Sequence, residues 1–276
     1  MNNKIVIYNI DSEGISKKES EITTILNQSI SGLLSCSWAN PQFGKVLAVS
    51  TIQGKVFILK ENNGTWETVY NLESSKFFPS IIKFNPYFSD FLLLAIGYSD
   101  GKVTIIKYSN ERFEVYPTQC HTFGVTGLSW LHCNEKSENR LLTSGNDGNV
   151  SCWILNKNCS LSNSSNLEKE SNSPIKGIDL VYTEDDGVNT ILAYDEDDEI
   201  YIWNNNLNKS EFKPIKVDFT QDSKPTAIQH ISLSPCSKIM SISYLEGVIL
   251  YIHNNDTKVW ETLSTSNNEG QMLNFN

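Results

Sequence analysis

The 276-residue sequence has no hydrophobic run long enough to cross a membrane and no cysteine spacing typical of disulfide frameworks. Its longest apolar run, around Phe91 to Ile96, is far shorter than the ~20 residues that a transmembrane helix needs. The polar opening, Met1 to Lys4, lacks the apolar region of a signal peptide. The six cysteines are scattered without a CxxC pair, as in chains that keep reduced thiols. These absences predict a soluble protein of the cytoplasm or nucleus.

Basic residues are also scarce, and the motifs of common enzymes are missing. With 22 Lys and Arg against 32 Asp and Glu, the net charge is −10, which argues against direct binding to nucleic acid. Four histidines stand at unrelated positions, and the sequence contains no GxSxG, no glycine-rich phosphate loop and no HExxH. We therefore predict a protein that is not an enzyme and that uses no cofactor.

Two clusters of polar residues resemble metal sites but have simpler interpretations. The acidic run Asp195 to Glu199 lacks the spacing of a calcium loop, and its register indicates a solvated hairpin turn. The pairs Cys120-His121 and His132-Cys133 suggest zinc, but eleven extended residues at ~3.3 Å each would hold the two histidines up to ~36 Å apart. No metal site is predicted.

A repeated β-hairpin dominates the sequence. Two apolar runs rich in Val, Ile and aromatic residues flank a tight turn in each of five copies: Val46–Lys60, Leu93–Lys107, Leu141–Leu155, Ile191–Asn204 and Ile239–His253. The turn residues are spaced by 47 to 50 positions: Gly54, Gly101, Gly148, Asp198 and Gly247. This period is close to the ~40 to 45 residues of a WD-repeat propeller blade.

Further strands complete each repeat. One precedes every hairpin (Leu33–Trp38, Ser80–Phe84, Val125–Trp130, Ile175–Val181, Ala227–Leu233), and one follows several of them (Thr65–Leu72, Arg112–Tyr116, Lys258–Leu263). Four strands per period is the content of a propeller blade, and the tryptophans in equivalent strands are interpreted as packing between blades. A solenoid or a two-domain β-sandwich is the alternative fold.

The chain opens on an incomplete blade. Lys4–Tyr8 matches Lys55–Leu59, so the sequence contains six outer strands, of which only five have the two strands that should precede them. The predicted fold is all-β, an open six-bladed WD-repeat β-propeller with an incomplete first blade. One domain is predicted over residues 1–264, with an Asn- and Ser-rich disordered loop at 156–173 and a polar tail at 265–276.

The second to fourth blades resemble a known family. The runs Cys36–Ala48 and Asn63–Glu67 (NGTWE), Phe84-Asn85-Pro86 with Ser99-Asp100-Gly101, and His121–Gly124 before Trp130 are similar to the β-propeller subunit of the COPII outer coat, which the nuclear pore Y complex shares. That family begins with strands that precede the one at Lys4, so this chain starts two strands late. A Seh-type nucleoporin or another WD-repeat adaptor is the alternative, and a propeller hydrolase is a further one.

The resemblance implies a scaffold role and a docking site. In that family an α-solenoid partner donates a blade between the first and last blades, by adding strands to an exposed sheet edge. Transferred to this chain, it implies a hetero-oligomer at the cytosolic face of ER exit sites, peripheral to the membrane through the coat, with a further place at the nuclear pore. The residues predicted to contact the partner are Ile5, Ile7, Val248, Leu250 and Trp260.

Overall fold

The computed structural model of the chain consists of β-sheets joined by turns. It describes residues 5–12, 14–22, 32–73, 76–87, 90–133, 139–183, 187–206, 212–215, 217–220, 226–245, 247–254 and 256–266. Within these residues the helical content is a single 3-10 turn, Pro41–Phe43, and no helix is long and apolar enough to cross a membrane.

In the described ranges, twenty-two strands form one two-stranded and five four-stranded antiparallel sheets. Blade 1 contains β1 (Ile5–Ile10) and β2 (Ser16–Ile22), and blade 2 contains β3 (Leu33–Trp38), β4 (Val46–Thr51), β5 (Val56–Asn62) and β6 (Thr65–Leu72). Blade 3 contains β7 (Pro79–Phe84), β8 (Leu92–Tyr98), β9 (Lys102–Ser109) and β10 (Arg112–Gln119). Blade 4 contains β11 (Val125–Leu131), β12 (Asn139–Gly145), β13 (Val150–Leu155) and β14 (Leu161–Asn166). Blade 5 contains β15 (Ile175–Thr183), β16 (Val188–Asp195), β17 (Ile200–Asn206) and β18 (Phe212–Ile215). Blade 6 contains β19 (His230–Leu233), β20 (Ile239–Tyr244), β21 (Gly247–His253) and β22 (Trp260–Ser266).

The core lies between successive blades. Strands β4, β8, β12 and β16 are buried along nearly their whole length, because each is the second strand of a sheet whose two faces pack on neighbouring blades. Five apolar clusters join blades 1 and 2, 2 and 3, 3 and 4, 4 and 5, and 5 and 6. None of these clusters, which comprise described residues only, joins blade 6 to blade 1. The predicted six-bladed propeller with an incomplete first blade is confirmed.

The hairpin turns follow the sequence repeat. Gly54, Gly101, Gly148 and Asp198 all have positive φ, between 60° and 86°, as a tight turn requires. At Gly101 glycine is required for space as well, since a Cβ atom there would lie 2.1 Å from the His121 carbonyl oxygen. The fifth predicted turn residue, Gly247, is instead the first residue of β21.

The predicted disordered loop at 156–173 is wrong over its central part. Residues Leu161–Asn166 form β14, which pairs along Ser151–Leu155 of β13 as the fourth strand of blade 4. Only Leu161 of β14 is buried, because an outermost strand gains its order from backbone pairing and has no need of an apolar face. A polar, Asn- and Ser-rich composition is therefore compatible with this strand.

Three further expectations are corrected. Trp38, predicted to pack between blades, has 49% of its surface exposed and contacts Trp66 of its own blade. The first strand of blade 6 begins at His230 and not at Ala227, whose φ of 55° is incompatible with a strand. Strand β22 continues to Ser266, past the predicted domain boundary at 264; the tail from 267 lies outside the described residues.

Candidate partner-docking edge

Blade 1 is a two-stranded hairpin, and in the described residues the other edge of its first strand is open. β1 pairs with β2 from Ile5↔Ile22 to Ile10↔Ser16, and in the described residues no other strand pairs with β1. The turn is closed by Asp11, whose backbone N–H donates to the Ile15 carbonyl (3.2 Å) and whose carboxylate accepts from the Ile15 N–H (2.9 Å). The open edge of β1 therefore presents backbone donors and acceptors that an added strand can use.

One face of this hairpin packs on blade 2. Ile7 and Ile22 are buried, and Ile5 packs on the same cluster, whose blade 2 members are Leu47, Val49, Phe57 and Leu59. The Trp66 indole N–H donates to the Ser20 hydroxyl at 3.2 Å. The predicted partner contacts Ile5 and Ile7 thus have their side chains against the chain's own second blade.

The opposite face of β1 is apolar and exposed. Because side chains alternate along a strand, Val6, Tyr8 and Ile10 point away from blade 2. Tyr8 is 56% and Ile10 68% exposed, and Ile15 in the turn is 59% exposed. Sequence reasoning did not select these residues, although the two-residue period of β1 identifies them once its buried face is known.

Blade 6 supplies a second apolar face. Ile249 and Tyr251 of β21 pack with the cluster shared with blade 5, so that Val248, Leu250 and Ile252 lie on the face away from blade 5. Val248 is buried, Leu250 is half-buried and Ile252 is exposed. The predicted contacts Val248 and Leu250 are therefore on the outward face of the last blade.

Trp260 occupies a different environment. It is 4% exposed and belongs to the cluster between blades 5 and 6. The backbone N–H of Trp260 donates to the Asp218 carbonyl at 2.8 Å, and the Trp260 carbonyl accepts from the Thr220 N–H at 3.3 Å. These two hydrogen bonds form a parallel bridge between Trp260 and Phe219. A segment of the same chain thus covers the outer edge of β22 at this point, and the Trp260 ring faces the interior.

The five predicted contact residues therefore do not form one surface. In the part of the chain that the structure describes, no strand pairing joins β1 or β2 to blade 6. The outward face of blade 1 is centred on Tyr8 and Ile10, and that of blade 6 on Leu250 and Ile252. These two faces lie at opposite ends of the series of blades. The partner-docking site stays a prediction.

The histidine that suggested zinc belongs to a buried hydrogen-bond network. His121 Nε2 lies 2.7 Å from the Thr143 hydroxyl, to which the Trp153 indole N–H donates at 2.9 Å. His121 Nδ1 lies 2.9 Å from Asp147 Oδ1, and Asp147 Oδ2 accepts the Thr122 N–H at 3.0 Å. Burial works to raise the pKa of Asp147, but His121 and the backbone N–H groups of Thr122 and Asn149 hold it well below its usual value. The network ties the entry of blade 4 to its hairpin.

The acidic run is a hairpin turn, as predicted, but its first carboxylate is not solvated. Asp195 is fully buried, and its Oδ1 accepts the N–H groups of Asp197 and Glu199, both at 3.0 Å. The Tyr201 hydroxyl donates to Asp195 Oδ2 at 2.8 Å. Burial and this bond to a carboxylate raise the pKa of Tyr201 above its usual value. Within the described ranges, no group of three or more His, Cys, Asp or Glu side chains is arranged to hold a metal ion.

Comparison with known proteins gives consistent results. No family model matches the chain. It is 24% identical over 242 residues to the "Protein SEC13 homolog" of Caenorhabditis briggsae, an alignment that covers 84% of this chain and 76% of that protein. It is 22% identical over 247 residues to the "Protein transport protein sec13" of Aspergillus fumigatus, covering 82% of this chain and 78% of that protein. The chain is thus similar, over most of its length, to proteins named Sec13.

Structural comparison agrees on the fold. The crystal structure of Saccharomyces cerevisiae Sqt1, a WD-repeat protein, superposes with a TM-score of 0.69 at 17% identity and covers 99% of this chain and 71% of that one. At that identity the likeness concerns the fold alone. The resemblance to the Sec13 family and the WD-repeat propeller are both confirmed.

Proposed function

We propose that the chain is a non-enzymatic scaffold subunit of the COPII vesicle coat, acting in ER-to-Golgi transport, with a second role in the nuclear pore complex. An α-solenoid partner would complete the propeller by donating a blade between blade 1 and blade 6. Sec13 relatives named for protein transport support the first part of this proposal.

The open edge of β1 is the observation that carries the docking part. As far as the described residues extend, no strand pairs with this edge, and two exposed apolar side chains, Tyr8 and Ile10, lie on the face where the next blade of a closed propeller would pack. Strand addition at such an edge gains affinity from main-chain hydrogen bonds and from burial of alternate side chains. Leu250 and Ile252 on the outward face of blade 6 would pack on the other side of the donated blade.

Co-expression with the α-solenoid subunit of the outer coat tests the proposal. We expect a complex that survives gel filtration. Substituting both Tyr8→Asp and Ile10→Asp should weaken it at least tenfold, because burial of each apolar side chain contributes about 1.5 kcal/mol or more. The matched control is Val115→Asp with Val69→Asp, which places the same two charges at apolar positions that are 40% and 41% exposed on the outer strands β10 and β6 of blades 3 and 2.

Three results would contradict the proposal. The first is that the chain and the solenoid subunit elute separately. The second is that the variant with Tyr8 and Ile10 replaced binds as well as the original chain, and the third is that the control variant, which includes Val115→Asp, weakens the complex equally. Recovery of a nucleoporin solenoid alone would favour the Seh-type alternative.

A further inference from the structure

Three phenylalanine side chains are exposed around the hairpin turn of blade 3. Phe77 and Phe78 precede β7 and are 37% and 48% exposed, and Phe123 precedes β11 and is 60% exposed. The Ser99 N–H of the turn donates to the Phe78 carbonyl at 3.1 Å, and a Cβ atom on Gly101 would lie 2.7 Å from the Phe123 carbonyl oxygen. At about 200 Å² for each aromatic side chain, the exposed area is about 300 Å². Apolar patches of this size are often functional.

The repeat shows that the fold does not need phenylalanine at these positions. In blades 3, 4 and 5 one carbonyl before the first strand accepts an N–H of the hairpin turn, at 2.9 to 3.1 Å: Phe78 from Ser99, Gly124 from Asn146 and Pro174 from Glu196. The residue just before this carbonyl is Phe77, Phe123 and Ser173, respectively. Since blade 5 makes the same contact with a serine, the packing of these loops does not account for the two exposed rings.

Phe123 is held in its exposed position by backbone contacts on both sides. The Thr122 N–H donates to Asp147 Oδ2 at 3.0 Å, and the Gly124 carbonyl accepts from the Asn146 N–H at 2.9 Å. An anchored loop loses little conformational freedom when a partner covers it, and aromatic side chains are enriched at the centres of protein interfaces. The loop is therefore preorganised for binding.

The accessible charges beside these rings are positive. The ammonium groups of Lys76 and Lys102 lie 5.8 Å and 5.9 Å from the centre of the Phe77 ring. The Lys102 side chain is 48% exposed, whereas Asp100, its ion-pair partner, is only 14% exposed. The Asp147 side chain is 10% exposed and already accepts hydrogen bonds. An approaching carboxylate therefore meets the two ammonium groups and not these carboxylates.

The remaining charges of the neighbouring loops do not reverse this sign. Residues 74–75 and 23–31, which lie outside the described residues, contain no charged residue. Glu73 is exposed and Lys55 is half-buried, one charge of each sign. The chain thus combines a locally cationic, aromatic surface with a net charge of −10.

We propose that Phe77, Phe78 and Phe123, together with Lys76 and Lys102, bind a short segment of a partner protein in which large apolar side chains stand beside Asp or Glu. A net charge of −10 repels an anionic membrane and a second copy of the chain. A short peptide responds mainly to charges within the Debye length of about 8 Å, which here are the ammonium groups. This site is separate from the β1 edge and does not depend on the proposed coat function.

A library of random dodecapeptides displayed on phage, selected on the immobilised whole chain, is the first probe. We expect the enriched peptides to combine Phe, Leu or Trp with Asp or Glu and to compete with one another for one site. A representative peptide is then labelled with fluorescein and titrated by fluorescence anisotropy up to about 1 mM. Its affinity should fall with rising salt, because the ammonium groups that attract it are exposed.

Replacing the rings locates the site. Phe77→Ser with Phe123→Ser introduces the residue that blade 5 has at the equivalent position, and it should weaken the selected peptide at least tenfold. The control, Val69→Ser with Val115→Ser, removes two exposed apolar side chains from β6 and β10 and should alter the affinity less than threefold.

Replacing the lysines tests the choice of an acidic partner. Lys76→Gln with Lys102→Gln should weaken the peptide at least fivefold. The control, Lys157→Gln with Lys258→Gln, neutralises two lysines that are exposed in other turns and should alter the affinity less than twofold.

Several results would overturn the proposal. They are the enrichment of no peptide, the enrichment of basic or purely polar peptides, and equal weakening by a double variant and its control. Dimerisation of the chain on gel filtration that the Phe77 and Phe123 variant abolishes would assign the rings to a second copy. Sedimentation with phosphatidylcholine and phosphatidylserine vesicles that the same variant abolishes would assign them to a membrane.

Discussion

Replacing Thr143 by valine tests whether the buried network in blade 4 holds the blade together. The Thr143 side chain is fully buried, and its oxygen meets both His121 Nε2 (2.7 Å) and the Trp153 indole N–H (2.9 Å). Trp153 can only donate, so the Thr143 oxygen accepts from it, and the hydroxyl hydrogen is available to His121. Valine has nearly the same shape but provides neither function.

The expected cost follows from these two bonds. Each contributes about 1 kcal/mol net, and a buried indole N–H left without an acceptor costs about 1 to 3 kcal/mol. We therefore expect Thr143→Val to lower the free energy of unfolding by about 2 to 4 kcal/mol. Thr143→Ser keeps the oxygen and loses one methyl group, which should cost about 1 kcal/mol.

Urea unfolding followed by tryptophan fluorescence and far-UV circular dichroism measures both variants. Coinciding transitions and an unchanged dependence on urea concentration allow the midpoints to be compared as free energies. A double-mutant cycle with Trp153→Phe should show positive coupling, since each change removes the same hydrogen bond. If Thr143→Ser is as destabilising as Thr143→Val, the hydrogen bonds do not matter and the reasoning is refuted.

Three further predictions concern other parts of the fold. Gly101→Ala should destabilise the chain by about 2 kcal/mol or more beyond Gly64→Ala, as judged by urea midpoints: both have φ near 85°, but only at Gly101 would the new Cβ meet backbone, 2.1 Å away. Because the pKa of Asp147 is lower in the folded than in the unfolded chain, the stability that its carboxylate contributes is complete above the usual value of 3.8 and is lost as pH falls below it. Asp147→Asn should therefore flatten the fall in stability below about pH 4, and an unchanged acid profile would argue against the hydrogen bonds that stabilise this carboxylate. Iodoacetamide labelling read by mass spectrometry should modify the exposed Cys236, whose pKa is lowered by the Ser234 hydroxyl and backbone N–H groups, well before Cys120, whose pKa burial raises to about 12; equal rates would contradict the packing.

Most of the architecture could be predicted because it depends on local pattern. Residues 33–38 and 65–72 were predicted as strands with the same bounds that β3 and β6 have in the structure. A β-hairpin is recognised within fifteen residues, from alternating apolar residues on both sides of a turn that needs positive φ. The regular repetition of this hairpin along the chain predicts a propeller. The strand β14 escaped prediction because an outer strand needs no apolar face, and its order depends on pairing with β13.

The candidate sites could be predicted only in part. Ile5 and Ile7 were selected as edge residues, but which face of β1 is free depends on how the hairpin packs against Leu47 and Phe57 of blade 2. Similarly, Trp260 is placed in the interior by a bridge to Phe219, a contact across 41 residues of sequence that no local pattern reveals.

The sequence by itself determined the blade repeat, four of the five turn positions and the resemblance to Sec13 proteins, since these depend on residue type and spacing along the chain. Only the tertiary structure decided that His121, Thr143, Asp147 and Trp153 form one buried network. These contacts join the entry of blade 4 to its hairpin, across sequence separations that no local pattern reveals. The incomplete first blade belongs to both levels: its strand was visible in the repeat, whereas its exposed face at Tyr8 and Ile10 was set by packing on blade 2.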